Sequence, residues 1–268
     1  MPKQPVIRVA VCADPPHEVP LQRRASEIAE ALGIAKTKIG EPGCDLLLAV
    51  TPDRLELRVL NGESDLVGGS AVFADPTAID TTSPAGRRLD APLLKAVGIK
   101  KGKPYRPNVI DATAGLGEDA WLLASHGCRV VGVERQPVIA ALLSYALARA
   151  AEVEPEIAER IAVHRADAIN DLSALCARGS DKPEAIVIDP MFPLGRKAKE
   201  RKPMRVLRML AGDDDDAPRL LEAARTTAVR RICIKRPLKA QPIDADRQPA
   251  PDIVYKGKAV RYDVYLNH

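Results

Sequence analysis

Residues 109–120 read Val-Ile-Asp-Ala-Thr-Ala-Gly-Leu-Gly-Glu-Asp-Ala, and Val-Val-Gly-Val-Glu follows at residues 130–134. The first two residues are β-branched and apolar, which is typical of a strand buried in a parallel sheet. Gly115 and Gly117 allow a tight turn in which the backbone can approach a ligand closely. The stretch therefore predicts a strand, a glycine turn, a helix and a second strand that ends in Glu134, where a carboxylate can bind both hydroxyls of a ribose.

Two kinds of nucleoside cofactor fit this element. Gly115, Gly117 and Ala120 match the Gly-x-Gly-x-x-Ala turn of dinucleotide-binding proteins, with Glu134 as the ribose acid. Asp111 precedes the glycines, and a carboxylate at that place repels a pyrophosphate but suits the ammonium and sulfonium groups of S-adenosylmethionine (SAM). The electrostatics favour SAM, and NAD(P) is the alternative.

The pattern of strands and helices changes along the chain. Residues 1–88 predict a small α+β N-terminal domain and a connector, with a hairpin formed by residues 45–50 and 55–60. Residues 89–268 predict an α/β domain whose strands alternate with helices. This alternation indicates a doubly wound, mostly parallel, Rossmann-like sheet. The predicted strands are 108–112, 129–134, 161–164, 185–189, 230–235 and 260–266, and the predicted helices are 118–126, 137–150, 168–178, 203–211 and 217–227.

The composition excludes several classes of protein. Hydrophobic residues make up 46% of the chain, but no apolar run is long enough to span a membrane, and the N-terminus lacks an apolar signal core. The five cysteines are scattered and form no C-x-x-C pair, so neither a zinc site nor a disulfide framework is indicated. We expect a cytoplasmic protein with no metal and no membrane partner.

A second stretch with chemical character is Asp189-Pro-Met-Phe-Pro193, which ends a predicted apolar strand. It resembles the Asn/Asp-Pro-Pro-Tyr/Phe motif of enzymes that methylate exocyclic amino groups of bases. Such an amino group is a poor nucleophile because its lone pair is delocalised into the ring, and hydrogen-bond acceptors on its N–H groups help it to react. The Asp189 side chain and the Pro190 carbonyl are the predicted acceptors, and Phe192 is predicted to stack on the base.

Positive charge is concentrated in the last third of the chain. Residues 186–268 contain 18 Lys+Arg and 11 Asp+Glu, whereas the formal net charge of the whole chain is only +4. Many of these cations follow Phe192 closely, so they are placed to contact phosphates beside a base pocket. A second basic set, Arg230, Arg231, Lys235, Arg236 and Lys239, is expected to extend the same surface. The residues expected to bind RNA are Arg196, Lys197, Lys199, Arg201, Lys202 and Arg205.

These motifs together are similar to those of the bacterial RsmJ family, the 16S rRNA guanine-N2 methyltransferases of the Rossmann-like class I type. The resemblance covers about residues 66–265. The matching pieces occur in the same order as in the family: Asp111-Ala-Thr-Ala-Gly-Leu-Gly117, Leu123-Ala-Ser-x-Gly-Cys-Arg-Val130, Glu134-Arg-x-Pro-Val138, Asp189-Pro-Met-Phe-Pro193, Met204-Arg-Val206, Lys235-Arg-Pro237 and Arg261-Tyr-Asp263.

The resemblance implies SAM as the methyl donor and a guanine near the 3′ end of 16S rRNA, free or in the 30S subunit, as the acceptor. The sequence departs from the family at Glu118, where an Arg is common, and at Asp167, where the family has serines nearby. The residues expected to contact the cofactor, from the glycine turn and from the resemblance, are Asp111, Gly115, Gly117, Glu118, Asp119, Glu134, Arg135, Ala166, Asp167 and Asp189.

The sequence thus predicts a SAM-dependent rRNA methyltransferase in which Asp189, Pro190 and Phe192 are catalytic. Two alternatives belong to other classes. A nicotinamide-dependent oxidoreductase would use the same glycine turn, but it leaves the Asp-Pro-Met-Phe-Pro stretch unexplained. A non-catalytic RNA-binding factor for ribosome assembly would bind RNA and transfer no methyl group.

Overall fold

The structure is a computed structural model that describes residues 7–41, 43–89, 91–178, 181–191, 201–212, 215–243 and 249–267. Its N-terminal part is a four-stranded sheet with one long helix. The elements are β1 (Val9–Ala13), α1 (Val19–Leu32), β2 (Ala35–Lys36), β3 (Leu46–Val50) and β4 (Leu55–Val59). The order is β2-β1-β3-β4, in which β1 is parallel to β2 and β3, and β4 returns antiparallel to β3 as the predicted hairpin.

The rest of the described chain alternates between helices and strands. In chain order the elements are α2 (Pro92–Ala96), β5 (Asn108–Asp111), α3 (Glu118–Ser125), β6 (Arg129–Glu134), α4 (Pro137–Val153), α5 (Pro155–Ala158), β7 (Ile161–Arg165), α6 (Ala168–Ala177), β8 (Ala185–Ile188), α7 (Lys202–Ala211), α8 (Ala217–Arg225), β9 (Arg231–Pro237), β10 (Ile253–Lys256) and β11 (Val260–Leu266).

The strands of this part form one seven-stranded sheet in the order β10-β11-β9-β8-β5-β6-β7. Neighbouring strands are parallel except at β11, which is antiparallel to both β9 and β10. The chain runs outward from β5 to β7 and then crosses back to β8, so β5 and β8 flank the point at which the direction of winding reverses. Ligands of open α/β sheets bind at this point.

Helices cover both faces of the large sheet. Alternate residues of a strand point to opposite faces, and in β5 the side chain of Val109 packs with α2 and α3, whereas that of Ile110 packs with α6 and α8. The predicted doubly wound, mostly parallel architecture is therefore confirmed. The strand β10 and the short helix α5 were not predicted from the sequence.

One hydrophobic core joins the N-terminal sheet to two helices that cover the large sheet. Side chains of the N-terminal sheet, such as Leu48 and Leu57, lie in the same buried cluster as Leu142 of α4 and Leu207 of α7. The first part of the chain therefore packs directly on two helices of the second part. The division between residues 1–88 and 89–268 stays a prediction. Within the described ranges, no helix is both long and apolar enough to cross a bilayer.

Candidate functional site

A cleft of about 1100 Å³, its open mouth included, lies at the carboxyl ends of β5, β6 and β8. It brings together residues that are far apart in the sequence, and among them are all the predicted cofactor contacts and two of the three predicted catalytic residues. These are Asp111, Gly115, Gly117, Glu118, Asp119, Glu134, Arg135, Ala166, Asp167, Asp189 and Pro190.

The glycine turn between β5 and α3 depends on two left-handed residues. Gly115 has a φ of +53° and Gly117 has a φ of +85°, which side chains other than glycine rarely adopt. A Cβ atom on Gly117 would clash with Cδ1 of Leu143, whereas the nearest atom to a Cβ on Gly115 is the Thr113 carbonyl oxygen at 3.8 Å. The turn therefore needs Gly117 for packing as well as for conformation.

Glu134 is fixed at the end of β6 by two backbone amides. The N–H of Gly115 donates to its Oε2 at 3.0 Å, and the N–H of Gln136 donates to its Oε1 at 2.7 Å. Its side chain is buried and lines the cleft. Because carboxylate oxygens accept more than one hydrogen bond, this pairing is compatible with the predicted ribose contact, and it ties the glycine turn to the second strand.

Asp111 lies at the base of the cleft and is 2% exposed. Burial, and then the charge of Asp119, raise the pKa of Asp111 to about 8, although its Oδ1 accepts the N–H of Thr113 at 3.2 Å. This corrects the electrostatic argument from the sequence, which assumed an ionised Asp111. The raised pKa favours the protonated form of Asp111 in the ligand-free protein. Other carboxyls that line the cleft, among them Asp119, Glu134 and Asp189, are then available to a cationic ligand.

Asp189 is held at the end of β8 from two sides. Its N–H donates to Oγ1 of Thr113 at 2.7 Å, and the ammonium of Lys235 lies 2.8 Å from its Oδ2. Lys235 also lies 3.2 Å from Oδ2 of Asp119, to which the Tyr262 hydroxyl donates at 3.4 Å. Burial alone would lower the pKa of Lys235, but the charges of Asp119 and Asp189 outweigh it and hold that pKa above its usual value.

Lys235 and Tyr262 were not predicted to belong to the site. The signal for Lys235 was strand register: β8 and β9 are parallel and Ile188 is opposite Ile234, so the next residues, Asp189 and Lys235, meet at the edge of the sheet. The sequence placed Lys235 in a basic surface instead. The structure divides that second basic set, because Arg230 and Arg231 lie at the opposite end of β9.

Two predicted cofactor residues also have structural partners. The Asp167 side chain caps α6, because its Oδ1 accepts the N–H of Ile169 at 3.0 Å. The Arg135 guanidinium lies 2.6 Å from Oδ2 of Asp216, and both residues line the cleft. A cofactor contact by either residue would have to be compatible with these bonds.

The predicted RNA-binding residues are only partly described. Phe192, Arg196, Lys197 and Lys199 lie outside the described residues. Arg201 is exposed and Lys202 is half-buried.

Arg205 is 18% exposed and pairs with Glu63 and Asp65 of the loop after β4. A phosphate contact by Arg205 would therefore compete with two carboxylates of the same chain.

Neither metal nor disulfide chemistry is indicated by the part of the chain that is described. Its His, Cys, Asp and Glu side chains form no group that could hold a metal ion. The five cysteines are free thiols, and four of them are buried.

Comparisons with known proteins agree with this geometry. The family of SAM-dependent methyltransferases (SAM_MT) matches residues 28–267. The ribosomal RNA small subunit methyltransferase J of Chromohalobacter salexigens is 41% identical over 251 residues, which cover 90% of this chain and 93% of that protein. The protein of the same name from Edwardsiella ictaluri is 43% identical over 224 residues, covering 82% and 85%.

A solved structure supports the same assignment. The crystal structure of a SAM-dependent methyltransferase from Neisseria gonorrhoeae superposes with a TM-score of 0.69 at 29% sequence identity, covering 96% of this chain and 95% of that one. The match lends no support to a nicotinamide-dependent enzyme. The chain therefore belongs to the ribosomal RNA small subunit methyltransferase J family of SAM-dependent methyltransferases.

Proposed function

We propose that this protein transfers the methyl group of SAM to the exocyclic N2 atom of a guanine near the 3′ end of 16S rRNA. The observation that carries the proposal is the position of Asp189 and Pro190 in the same cleft as the glycine turn and Glu134. The relatives named as small-subunit rRNA methyltransferases support rRNA as the substrate.

The residues of the cleft fit SAM on the donor side. Gly115 and Gly117 leave space for a ligand to approach the backbone, and Glu134 lies where it can accept hydrogen bonds from a ribose. Apolar side chains, among them Ile139 and Leu207, form the wall of the cleft and suit the flat adenine ring. Carboxyl groups that also line the cleft suit the positive charges of the donor.

Asp189 has the chemistry needed on the acceptor side. Bound SAM supplies an electrophilic methyl group on a cationic sulfur. The Asp189 carboxylate accepts an N–H of the guanine amino group, as the Pro190 carbonyl can, and these bonds help the nitrogen lone pair to turn toward the methyl group. The Asp189 carboxylate would then stabilise the positive charge that the nitrogen gains with the methyl group, and the extra proton of that nitrogen would leave to solvent.

The target guanine has to leave its stack to reach the end of β8, because its amino group must meet the methyl group in line. We infer that Phe192 and the basic residues that follow it hold the flipped base and its phosphates. Lys202 and exposed Arg201 lie at the start of α7, next to the cleft residue Met204, which supports a phosphate path at this rim. A cytoplasmic location and a 30S or 16S rRNA partner follow from this function.

Methyl transfer to rRNA tests the proposal directly. Purified protein is incubated with labelled SAM and either 16S rRNA or 30S subunits from a strain that lacks the enzyme, and the label is mapped. We expect one labelled guanine near the 3′ end, modified at N2. Label at another atom, or RNA binding without label, would overturn the proposal, and the second result would favour the assembly-factor alternative.

Thermal unfolding with ligands tests the donor site separately. SAM or S-adenosylhomocysteine at about a hundred times its Kd should add about 2.7 kcal/mol to the free energy of unfolding. NAD(P) at the same concentration should leave the Tm unchanged. A shift with NADH and none with SAM would contradict the assignment of the cleft.

A further inference from the structure

A second groove lies at the amino ends of the strands of the large sheet, at the edge opposite the cofactor cleft. It is formed by the segment after α2, the start of β9 and the end of β11. Four cations line it, Lys100, Lys103, Arg230 and Arg231, against one carboxylate, Glu184. The groove therefore carries an excess of positive charge. Its four cations are separate from the basic residues that follow Phe192 in the sequence.

The cations of this groove are not neutralised within the described part of the chain. Lys100, Lys103 and Arg230 are exposed and form no ion pair there. By contrast, Arg205 and Lys235 are each paired with two carboxylates. A polyanion at the groove would therefore gain the full attraction of these side chains without first breaking internal ion pairs.

The single carboxylate of the groove already has a partner. The hydroxyl of Tyr105 donates to Oε1 of Glu184 at 3.0 Å. Burial, and then this hydrogen bond, raise the pKa of Tyr105 to about 12, so the phenol keeps its proton at physiological pH. The side chain of Tyr105 is nevertheless 42% exposed, and its ring offers an aromatic surface among the cations. Cations with an exposed aromatic ring are typical of grooves that bind single-stranded nucleic acid.

The distance between the groove and the cofactor cleft determines how large a ligand must be to contact both. Arg231 begins the seven-residue strand β9 and Lys235 lies near its end. At a rise of about 3.3 Å per residue, the four steps from Arg231 to Lys235 separate the groove from the cleft by roughly 13 Å. The two sites are therefore distinct, and a folded RNA is long enough to contact both.

We infer that the groove formed by Lys100, Lys103, Tyr105 and Arg230 is a second RNA-binding surface, which holds the phosphate backbone of the rRNA substrate at the edge of the sheet opposite the cofactor cleft. The inference rests on the proposed function in one respect, namely that the substrate is an rRNA. It adds a docking surface that is remote from the methyl-transfer site, so the substrate contacts both edges of the sheet.

Charge reversal tests this inference. The triple variant Lys100→Glu, Lys103→Glu, Arg230→Glu changes only exposed side chains. Its affinity for 30S subunits and for 16S rRNA is measured by filter binding between 50 and 300 mM salt, with S-adenosylhomocysteine present. We expect Kd to rise about tenfold or more, and the slope of log K against log salt to become shallower by about two to three, as for the loss of three phosphate contacts. At saturating RNA, kcat should stay near that of the wild type.

The control variant is Arg23→Glu, Lys38→Glu, Arg149→Glu. It changes the net charge equally, at exposed positions of the N-terminal part of the chain and of α4. Unchanged Tm and SAM binding show that both variants are folded. Equal affinity and salt slope in the two triple variants would overturn the inference, as would a wild-type protein that does not bind rRNA. If the wild type binds rRNA and the groove variant does not, but no methyl label appears, the proposed function fails while the docking surface stands.

Discussion

The ammonium nitrogen of Lys235 lies 2.8 Å from Oδ2 of Asp189, so an ion pair joins the ends of β8 and β9 inside the cleft. The same ammonium lies 3.2 Å from Asp119, a residue of the helix that follows the glycine turn. One cation thus links the proposed donor side of the site to the proposed base side. It also compensates part of the negative charge that the carboxyls of the cleft would otherwise concentrate there.

Replacing Lys235 by Met should impair catalysis more than folding. Without the cation, Asp189 loses one of the groups that orient it, and kcat should fall on the order of 10-fold to 10²-fold. Loss of the cation removes a charge that favours the ionised form of the carboxylate it touches, and the acid limb of the kcat profile should therefore move to higher pH. Steady-state kinetics between pH 5.5 and 9 measures both effects.

Two further variants distinguish an effect of Lys235 on catalysis from an effect on folding or on net charge. Lys235→Arg keeps the charge and should restore much of the rate and the original acid limb, and exposed Lys239→Met controls for the lost charge. A lower Tm with an unchanged pH profile would mean that Lys235 only supports the fold.

Replacing Asp189 by Ala should abolish most methyl transfer and leave the donor site largely intact. Removing one preorganised acceptor typically costs on the order of 10² to 10³ in rate, and the loss should appear in kcat because the contact strengthens in the transition state. Single-turnover methylation at saturating RNA measures this directly. Asp189→Asn, whose amide oxygen still accepts a hydrogen bond, should retain more activity than Asp189→Ala. Near-native turnover of Asp189→Ala with a normal unfolding curve would exclude the proposed activation.

Asp111 should make the stability of the protein depend on pH. Its pKa is about 8 in the folded chain, against an ordinary value of 3.8. Between these two values the native state keeps a proton that the unfolded state loses. The free energy of unfolding should therefore decrease as pH rises through this window, by at most about 1.4 kcal/mol per pH unit from this group.

The variant Asp111→Asn removes this contribution. Urea unfolding at pH 5.5 and pH 7.5 gives the free energy of unfolding of the variant minus that of the wild type. This difference should rise by about 1 to 3 kcal/mol from pH 5.5 to pH 7.5. Asp53→Asn, in the exposed turn of the hairpin, controls for the change in net charge. A difference between Asp111→Asn and wild type that is the same at both pH values would contradict the raised pKa.

The two glycines of the turn should differ in their tolerance of alanine. Gly115→Ala makes only an ordinary van der Waals contact with the Thr113 carbonyl and should cost about 1 kcal/mol for its left-handed backbone. Gly117→Ala adds a contact with the fully buried Leu143 and should cost about 2 to 4 kcal/mol in total. In a Leu143→Ala background, Gly115→Ala and Gly117→Ala should lower the free energy of unfolding by similar amounts. A double-mutant cycle measures the coupling between positions 117 and 143. Equal costs in the wild-type background would show that Leu143 moves away freely.

The sequence predicted the strands and helices of the large sheet well where apolar runs were long and ended in a clear turn. β6 and β11 have the predicted bounds, because both are rich in the β-branched or aromatic residues that favour strands. β10 was missed, since only four residues pair there and their partner is the last strand of the chain. The order of the strands, which brings β8 beside β5, follows from packing of the whole sheet and not from any local pattern.

The site was predicted less completely, for the same reason. Each predicted cofactor residue lies on a motif within one segment, whereas the pairing of Lys235 with Asp189 depends on the register of two strands that are 46 positions apart in the chain. The protonation of Asp111 depends on burial and on Asp119, and the pairing of Arg205 with Glu63 depends on a loop without regular pattern. Contacts across segments were therefore the part that residue types and spacing did not determine.

The core that joins the N-terminal sheet to α4 and α7 has a consequence for how ligand binding changes the stability of distant parts of the chain. Ile139, near the start of α4, lines the cleft and also belongs to the buried cluster that contains Leu48 of β3. No described residue of the N-terminal sheet lines the cleft. A bound methyl donor should nevertheless slow amide hydrogen exchange in β3 and β4, because opening that sheet exposes the apolar side of a helix that lines the cleft. The N-terminal sheet would then be stabilised by the donor as part of one cooperative unit, although it makes no contact with the donor.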